Sequence, residues 1–181
     1  MYKIGIIGHS PEHFSVPSAE EVQKTIRSTI DLLATQYGAE QVMFNVAGDI
    51  GVGLWAAEIC MENADTDVLA NNKCNYHMFM PYVPERTADG WFEYQVEMLR
   101  ECYTKAKAIT VCNTDKDAQL ESLKQIVNDS NFIICFWIGK KQGKTFETIK
   151  YALEKNKMVL NGLSELKMVT NEDLKRARKS R

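Results

Sequence analysis

Short apolar runs alternate along the chain with longer amphipathic segments. The run Lys3–Gly8 (KIGIIG) is rich in isoleucine and ends in glycine, which is typical of a strand buried on both faces. The next segment carries apolar residues at helical spacing: Val22, Ile26, Ile30 and Leu33. Ser18 and Glu21 have the spacing of a capping box, and Gly38 is a stop signal. This part of the chain therefore predicts a strand, a loop and a helix.

The same alternation continues to residue 160. Strands are predicted over 41–46, 76–81, 108–113, 132–138 and 158–160, and helices over 51–62, 89–103, 117–128 and 144–155. Such a pattern predicts an α/β fold, a Rossmann-like three-layer α/β/α arrangement with a mostly parallel sheet. We expect one domain over 1–163 and a C-terminal helical basic tail over 164–181. Ligands of these sheets bind at the carboxyl ends of the strands, so functional residues are expected in the loops that follow them.

The composition narrows the class of protein. Hydrophobic residues make up 45% of the chain and charged residues 25%, which is ordinary for a globular domain. No apolar run reaches the roughly 18 residues that a membrane helix needs, and the N-terminus shows no signal peptide. The five cysteines are widely spaced without a CxxC pair, which argues against a zinc site or a disulfide framework. We therefore expect a cytoplasmic protein with free thiols, no metal site and no membrane partner.

The net charge of −2 is unevenly distributed. Five cations lie in the last seven residues: Lys175, Arg176, Arg178, Lys179 and Arg181. They leave −7 on the rest of the chain. A basic tail can bind nucleic acid, but cations also favour a helix C-terminus, and a body at −7 repels a phosphate backbone. The charge pattern therefore argues against nucleic acid as a partner.

Three glycine-containing loops follow predicted strands and share one edge of the sheet. Glycine allows a phosphate to approach backbone N–H groups at a helix N-terminus, although tight turns also need glycine without any ligand. The residues expected to contact a ligand are Gly8, His9, Ser10, Gly48, Asp49, Gly51, Gly53, Trp137, Gly139, Lys140, Gly143, Lys144 and Thr145. The late loop 139–145 has three residues, not the four of a Walker A motif, before its Gly-Lys pair. This spacing argues against a P-loop triphosphatase.

One stretch resembles a known family. Residues 51–58 (GVGLWAAE) resemble the G-V-x-L-W-A-A-E stretch of the YpsA-like proteins in the SLOG superfamily. Shorter similarities over positions 1–160 involve Gly8, His9, Phe79, Met80, Pro81, Trp91, Gln95, Tyr103, Gly143, Thr145 and the run 136–140. The resemblance implies a Rossmann-like pocket for a nucleotide or nucleotide-derived ligand, built from the first-strand loop, the Gly-Asp loop and the late Gly-Thr loop. Relatives include ligand-sensing modules, phosphoribohydrolases of the lonely-guy type and the DprA DNA-processing proteins.

The chain departs from the phosphoribohydrolases at three points. Its late loop lacks their Pro-Gly-Gly sequence. Their glutamate, three residues after the threonine, falls here at Thr148, with Glu147 one position early. An acidic residue that some relatives carry after Phe-Trp is Ile138. The departures weaken an enzyme interpretation more than a binding interpretation.

Several candidate residues have two interpretations each. Glu58 shares a helical face with Gly51 and Trp55, so it contacts a ribose or lies in solvent. Asp49 binds a sugar or caps the following helix. Trp137 stacks on a base or lies in the core. These alternatives stay open at the level of sequence.

The sequence therefore favours a protein that binds a nucleotide-derived small molecule, for sensing, sequestration or processing. The first alternative is a hydrolase of the nucleotide N-glycosidic bond, a reaction that needs a carboxylate beside the ribose. Its candidate catalytic residues are Asp49, Glu58 and Glu147. The second alternative is DprA-like binding of single-stranded DNA. We expect no cofactor, and a homo-oligomer stays open.

Overall fold

A computed structural model describes residues 1–65, 74–114 and 116–178 of the chain. Its strands are β1 Tyr2–Gly8, β2 Val42–Ala47, β3 Asn75–Met80, β4 Ala108–Val111, β5 Phe132–Phe136, β6 Met158–Asn161 and β7 Lys167–Met168. Its helices are α1 Ala19–Tyr37, α2 Val52–Asp65, α3 Pro84–Thr87, α4 Glu93–Lys105, α5 Ala118–Asp129, α6 Lys144–Glu154 and α7 Asn171–Arg176. The predicted α/β fold class is confirmed.

These seven strands form one sheet in the order β4-β3-β2-β1-β5-β6-β7. Their pairings are parallel, except that of β7 with β6. Successive strands progress outward from β1 to β4, and the chain then returns to place β5 beside β1. The strand order therefore reverses between β1 and β5, which makes the carboxyl ends of these two strands the point where such a sheet opens a crevice.

Helices cover both faces of the sheet, so the molecule has three layers. On one face, α1, α2 and α4 bury apolar side chains such as Ile26, Ala57 and Leu99 against β1, β2 and β3. On the other face, α5 and α6 bury Ile126 and Ile149 against the same sheet, and α7 adds Leu174. Packing on both faces holds the strands in place, and it thereby positions the loops that follow their carboxyl ends.

Local sequence signals set most of the element boundaries. Ser18 and Glu21 form the predicted capping box, with the Glu21 N–H donating to Ser18 Oγ and the Ser18 N–H donating to the Glu21 carboxylate. Helix α4 starts at Glu93 rather than at the predicted residue 89. Gly90 has a φ of 78°, which is not a helical conformation, so the helix begins only after this residue.

The C-terminal segment contains a strand as well as a helix. β7 pairs with β6, and α7 follows it. The Arg178 N–H donates to the Gly139 carbonyl at 2.8 Å, and the Lys141 N–H donates to the Arg178 carbonyl at 2.9 Å. The tail cations Lys179 and Arg181 lie outside the described residues. Within the described ranges, no helix is long and apolar enough to span a membrane.

Candidate functional site

The loops after β1 and β2 pack directly against one another at the sheet edge. Gly51 has a φ of 105°, and a Cβ at this position would lie 2.5 Å from the His9 carbonyl oxygen. Close contacts with neighbouring residues also exclude a side chain at Gly8, Gly48 and Gly53. Gly51 and Gly8 are therefore required by packing between these two segments, because an added Cβ would meet His9 and Val52 respectively. Gly48 instead faces Met80 on β3, and Gly53 faces the Ala47 carbonyl at the end of β2. Gly139 and Gly143, by contrast, have positive φ values of 77° and 90° and open space beside them.

A chain of polar contacts joins three loops across this edge. Gln119, in the first turn of α5, donates from Nε2 to Asp49 Oδ2 at 3.2 Å. Its Oε1 accepts a hydrogen bond from the Lys144 ammonium, at the start of α6. Lys144 Nζ also lies 3.3 Å from Asp117 Oδ1. Residues after β2, β4 and β5 are thereby held in one constellation.

The Asp49 carboxyl is the most perturbed acid in this constellation. Burial raises the pKa of Asp49 from its ordinary 3.8 to about 6, against the opposing effects of the Gln119 hydrogen bond and the Lys144 charge. The group is therefore largely ionised at pH 7 but becomes protonated a little below it. Carboxyl groups with such shifts in clefts are over-represented at functional sites.

A cleft of about 380 Å³ opens in front of these groups. We call it the Asp49 cleft; its lining residues are Ser10, Asp49, Ile50, Pro81, Tyr82, Arg86, Thr87, Trp91, Asp117, Ala118, Gln119 and Lys144. The Arg86 guanidinium lies over the Tyr82 ring, 3.6 Å from its centroid. The cleft thus combines two cations, two carboxylates and two aromatic rings, at the carboxyl ends of the strands.

The structure brings only part of the predicted site together. Ser10, Asp49 and Lys144 line the Asp49 cleft. The Ser10 hydroxyl donates to Glu12 Oε1 at 2.5 Å. Thr145 is buried in the first turn of α6, and the Lys140 backbone pairs with the C-terminal segment.

His9 and Trp137 are both nearly inaccessible. His9 is 5% exposed, and its Nε2 has no hydrogen-bond partner among the described residues. Burial, reinforced by the charges of His13 and Lys140, lowers the pKa of His9 to about 4, so its ring is neutral at pH 7. Trp137 is 6% exposed, and its indole N–H donates to the Lys140 carbonyl at 2.8 Å. Trp137 therefore lies mainly within the core.

Two of the three candidate catalytic carboxylates lie away from Asp49. Glu58 lines a separate groove between α1 and α2 with Arg27 and Glu62, and burial followed by the Glu62 charge raises its pKa. It is seven residues beyond Gly51, which places it roughly 10 Å down the helix from the sheet edge. Glu147 is exposed in the first turn of α6 and does not line the Asp49 cleft. Asp49 is the one candidate acid of the three that lines this cleft.

A second and larger cavity lies at the carboxyl ends of β5 and β6. It measures about 580 Å³ and is walled by the C-terminal segment, so we call it the tail cavity. Its charged lining residues are Lys167, Asp173, Arg176 and Arg178. Trp137, Leu163 and Met168 contribute apolar surface, and Val16 and Pro17 of the loop after β1 close one side. The two cavities therefore lie along one sheet edge, on either side of its switch point.

The sequence interpretation missed several residues of the Asp49 cleft. Tyr82, Asp117 and Gln119 were not among its candidates. Asp117 and Gln119 follow β4, whose carboxyl end lies on the same sheet edge as those of β1 and β2. Treating the loop after β4 like the other strand-end loops would have included them.

Solved structures of DNA processing protein A have a similar fold. The X-ray structure of the Streptococcus pneumoniae protein (DprA) matches with a TM-score of 0.58 at 13% identity, over 91% of this chain and 54% of its own. The Helicobacter pylori protein, described for its mode of binding single-stranded DNA, matches with a TM-score of 0.57 at 13% identity, over 98% of this chain and 74% of its own. The present chain thus spans about half the length of the Streptococcus protein. No protein-family model and no curated protein sequence matches the chain.

At 13% identity these matches show the fold, which is the Rossmann-like α/β fold of DprA proteins. A likeness of fold does not decide between families, so the YpsA-like assignment stays a prediction from the sequence. The prediction that argued against nucleic acid as a partner is wrong as a rule for this fold, because the Helicobacter pylori protein that shares it is described for binding single-stranded DNA. Net charge alone does not decide such a question, since nucleic-acid binding depends on where cations cluster rather than on their sum.

Proposed function

We propose that the protein binds a nucleotide or nucleotide-derived small molecule in the Asp49 cleft. In this proposal the Asp49 carboxylate accepts hydrogen bonds from ribose hydroxyls, and Lys144 and Arg86 bind phosphate oxygens. Tyr82 and Trp91 offer aromatic surface to a base. A volume of about 380 Å³ is within the usual range of small-molecule sites.

The hydrogen-bonded chain from Asp49 through Gln119 to Lys144 is the observation that carries this proposal. Through Gln119, this chain links the Asp49 carboxyl group to the Lys144 ammonium at the N-terminus of α6. Burial disfavours the ionised form of Asp49. Positive charge at a helix N-terminus attracts phosphate. Gly139 and Gly143 in the loop before this helix have positive φ values and open space beside them, so no side chain there blocks an approaching ligand. The Asp49 carboxylate and the Lys144 ammonium are thus held on either side of the Gln119 amide. They suit one nucleotide, the carboxylate binding its ribose hydroxyls and the ammonium its phosphate.

Calorimetry with adenosine, guanosine, cytidine and uridine monophosphates tests the proposal. Lys144→Gln removes a cation of the cleft and is expected to weaken binding by roughly tenfold or more, as for loss of one charge-assisted hydrogen bond. Lys141→Gln is the matched control, because Lys141 is exposed in the same loop and does not line the cleft. Equal affinities for both variants and the unchanged protein would reject the Asp49 cleft as the binding site.

We place the chain in the YpsA-like branch of the SLOG superfamily on the basis of the GVGLWAAE stretch at 51–58. We also treat 1–163 as the ligand-binding domain and 164–181 as an appended tail. Packing supports a specific role for this stretch, because Gly51 contacts the loop after β1 and Trp55 reaches the α1 side of α2. The stretch thus fixes the loop that carries Asp49.

Single-stranded DNA is the second candidate ligand, and the tail cavity is the observation that favours it. Lys167, Arg176 and Arg178 outnumber the one acid, Asp173, in its charged lining. Cations beside apolar surface suit a flexible strand, whose phosphates and bases need both. We propose that any DNA contact is made there rather than in the Asp49 cleft.

Fluorescence anisotropy with a labelled oligothymidylate tests this second candidate. Changing Arg176 and Lys167 together to Gln is expected to weaken binding and to reduce the log–log salt slope by about 0.7 for each phosphate that the variant no longer binds. Lys150→Gln, on the exposed side of α6, is the control. An unchanged salt slope in the double variant would remove the tail cavity from consideration.

A further inference from the structure

Three side chains form a row on the face of the sheet covered by α5. Thr110 Oγ1 lies 2.8 Å from His77 Nε2, and His77 Nδ1 lies 3.6 Å from Asp129 Oδ2. The row is thus a hydroxyl, an imidazole and a carboxylate in contact, in that order. This is the arrangement in which a histidine activates a hydroxyl nucleophile, a geometry that recurs on unrelated folds.

The fold builds this row from three separate elements. His77 is on β3 and Thr110 is on the neighbouring edge strand β4, where His77 pairs with Ala108 and Phe79 pairs with Thr110. The diagonal step between His77 and Thr110 brings their side chains together on one face. Asp129 is the last residue of α5. It is ten residues beyond Gln119, so the row is roughly 15 Å along α5 from the Asp49 cleft.

Other contacts hold Asp129 in place. Lys3 Nζ lies 2.7 Å from Asp129 Oδ1, and Asn45 Nδ2 donates to Asp129 Oδ2 at 3.2 Å. Asn45 is fully buried in β2 and also donates to Ser130 Oγ at 2.9 Å. The carboxylate is therefore fixed on both oxygens and presents Oδ2 to the histidine.

The surroundings of His77 determine its tautomer and its protonation state. A carboxylate beside Nδ1 favours the tautomer that carries its proton there, which leaves the Nε2 lone pair to accept the Thr110 hydroxyl. Burial lowers the pKa of His77; the Asp129 charge opposes that effect, and the Lys3 charge reinforces it. The neutral ring that results at pH 7 is able to take up a proton, as a general base must.

An open depression of about 340 Å³ gives access to the row. Phe79, Gln125 and Asn128 line it together with the three residues of the row. The Gln125 carbonyl accepts from the Cys112 thiol at 3.3 Å, and the Asn128 carbonyl accepts from the Tyr151 hydroxyl at 3.0 Å. These bonds leave the two amide NH₂ groups as donors for a ligand in the depression. Such donors suit the oxygen of a carbonyl group that gains negative charge.

We propose that this depression is a second active site, in which Thr110 is the nucleophile of an acyl-transfer reaction on small esters. The Thr110 oxygen attacks the ester carbonyl carbon while His77 Nε2 takes the hydroxyl proton. The carbon–oxygen bond to the leaving alcohol then breaks, and His77 returns the proton to that alcohol. Water hydrolyses the resulting threonine ester with His77 again as base, which releases a carboxylic acid. Asp129 is a positioning residue that keeps the histidine oriented.

4-Nitrophenyl acetate is a suitable probe, because its hydrolysis releases a coloured alcohol and leaves a traceable acetyl group. We expect the protein to release 4-nitrophenolate faster than free imidazole does, and peptide mapping after acid quench to locate the acetyl group on Thr110. Thr110→Val, which keeps the side-chain shape, is expected to lower the rate at least about a hundredfold. Thr110→Ser is expected to retain it, and Thr104→Val, in α4, is the matched control.

The histidine and aspartate variants test the assigned roles. His77→Gln is expected to abolish the reaction, and Asp129→Asn is expected to lower kcat and to move the pH profile to lower pH through loss of a negative charge beside the ring. Acetylation confined to lysine or Cys112, or an unchanged rate in Thr110→Val, would overturn the proposal. Mapping on the unchanged protein decides the matter even where a variant does not fold.

Discussion

Gln119 connects Asp49 to Lys144 through both ends of its amide group. Its Nε2 donates to Asp49 Oδ2 at 3.2 Å, and its Oε1 accepts from the Lys144 ammonium. An amide is suited to this position, because its NH₂ group donates to the carboxylate while its oxygen accepts from the ammonium. The relationship links the loop after β2 to the first turns of α5 and α6.

Removing this amide should change the pH dependence of nucleotide binding. The Gln119 hydrogen bond lowers the pKa of Asp49, so Gln119→Met should raise that pKa above its value of about 6. More of the acid is then protonated at pH 7, and the affinity for a nucleoside monophosphate is expected to fall several-fold and to recover partly at pH 8. Calorimetry at pH 6, 7 and 8 measures this. Parallel pH profiles for the variant and the unchanged protein would contradict it.

Asp49 is also expected to reduce stability at neutral pH. Its folded pKa of about 6 lies above the ordinary 3.8, so stability falls as pH rises between these values and stays reduced above pH 6. Asp49→Asn removes the buried charge and should raise the free energy of unfolding at pH 7 by about 3 kcal/mol. Urea unfolding at pH 4 and pH 7 measures the difference. A gain of the same size at both pH values would show that burial of charge is not its cause.

The contact of Gly51 with the first loop predicts a large effect of a single methyl group. Gly51→Ala places a Cβ 2.5 Å from the His9 carbonyl oxygen at a φ of 105°, so we expect a loss of about 3 kcal/mol or more. Gly90→Ala is the control, because its φ is 78° and no atom lies within 4 Å of the added Cβ. Strain alone should cost this control about 1 kcal/mol. Equal losses in thermal or urea unfolding would show that the contact is easily relieved.

The three candidate carboxylates should differ in any cleavage of the N-glycosidic bond. Only Asp49 of the three lines the Asp49 cleft, whereas Glu58 lies in the α1–α2 groove and Glu147 is exposed. Free base released from a nucleotide should therefore fall about a hundredfold in Asp49→Asn and stay unchanged in Glu58→Gln and Glu147→Gln. Chromatography of the reaction mixture measures the base. Loss of activity in Glu58→Gln would move the site to the other side of α2.

Periodicity and local signals were sufficient for the fold. The capping box of Ser18 and Glu21 and the apolar runs of β1 and β5 act within a few residues, so the sequence displays them directly. Helix α3 was not predicted, because four residues are too few for a periodic pattern. The strand β7 has only two residues and depends on pairing with β6. Such short elements exist through tertiary contacts rather than through their own sequence.

The site was harder to predict than the fold, for a physical reason. Asp49 and Gln119 are 70 residues apart and meet only because β2 and β4 end at one sheet edge. The face of α2 that carries Glu58 depends on how α2 packs against α1, and helical spacing alone leaves that rotation undetermined. Asp49 and Lys144 were accessible to prediction because each belongs to a loop that follows a strand directly.

The chain contains three tryptophans, and their indole N–H resonances provide the most direct test of the Asp49 cleft. Trp91 lines this cleft, Trp55 lines the α1–α2 groove and Trp137 is buried beside the tail cavity. Titration of ¹⁵N-labelled protein with a nucleoside monophosphate is expected to shift the Trp91 indole signal and to leave that of Trp55 in place, with Trp91→Phe supplying the assignment. A shift of Trp137 without Trp91, or no shift at a saturating nucleotide concentration, would contradict binding in the Asp49 cleft.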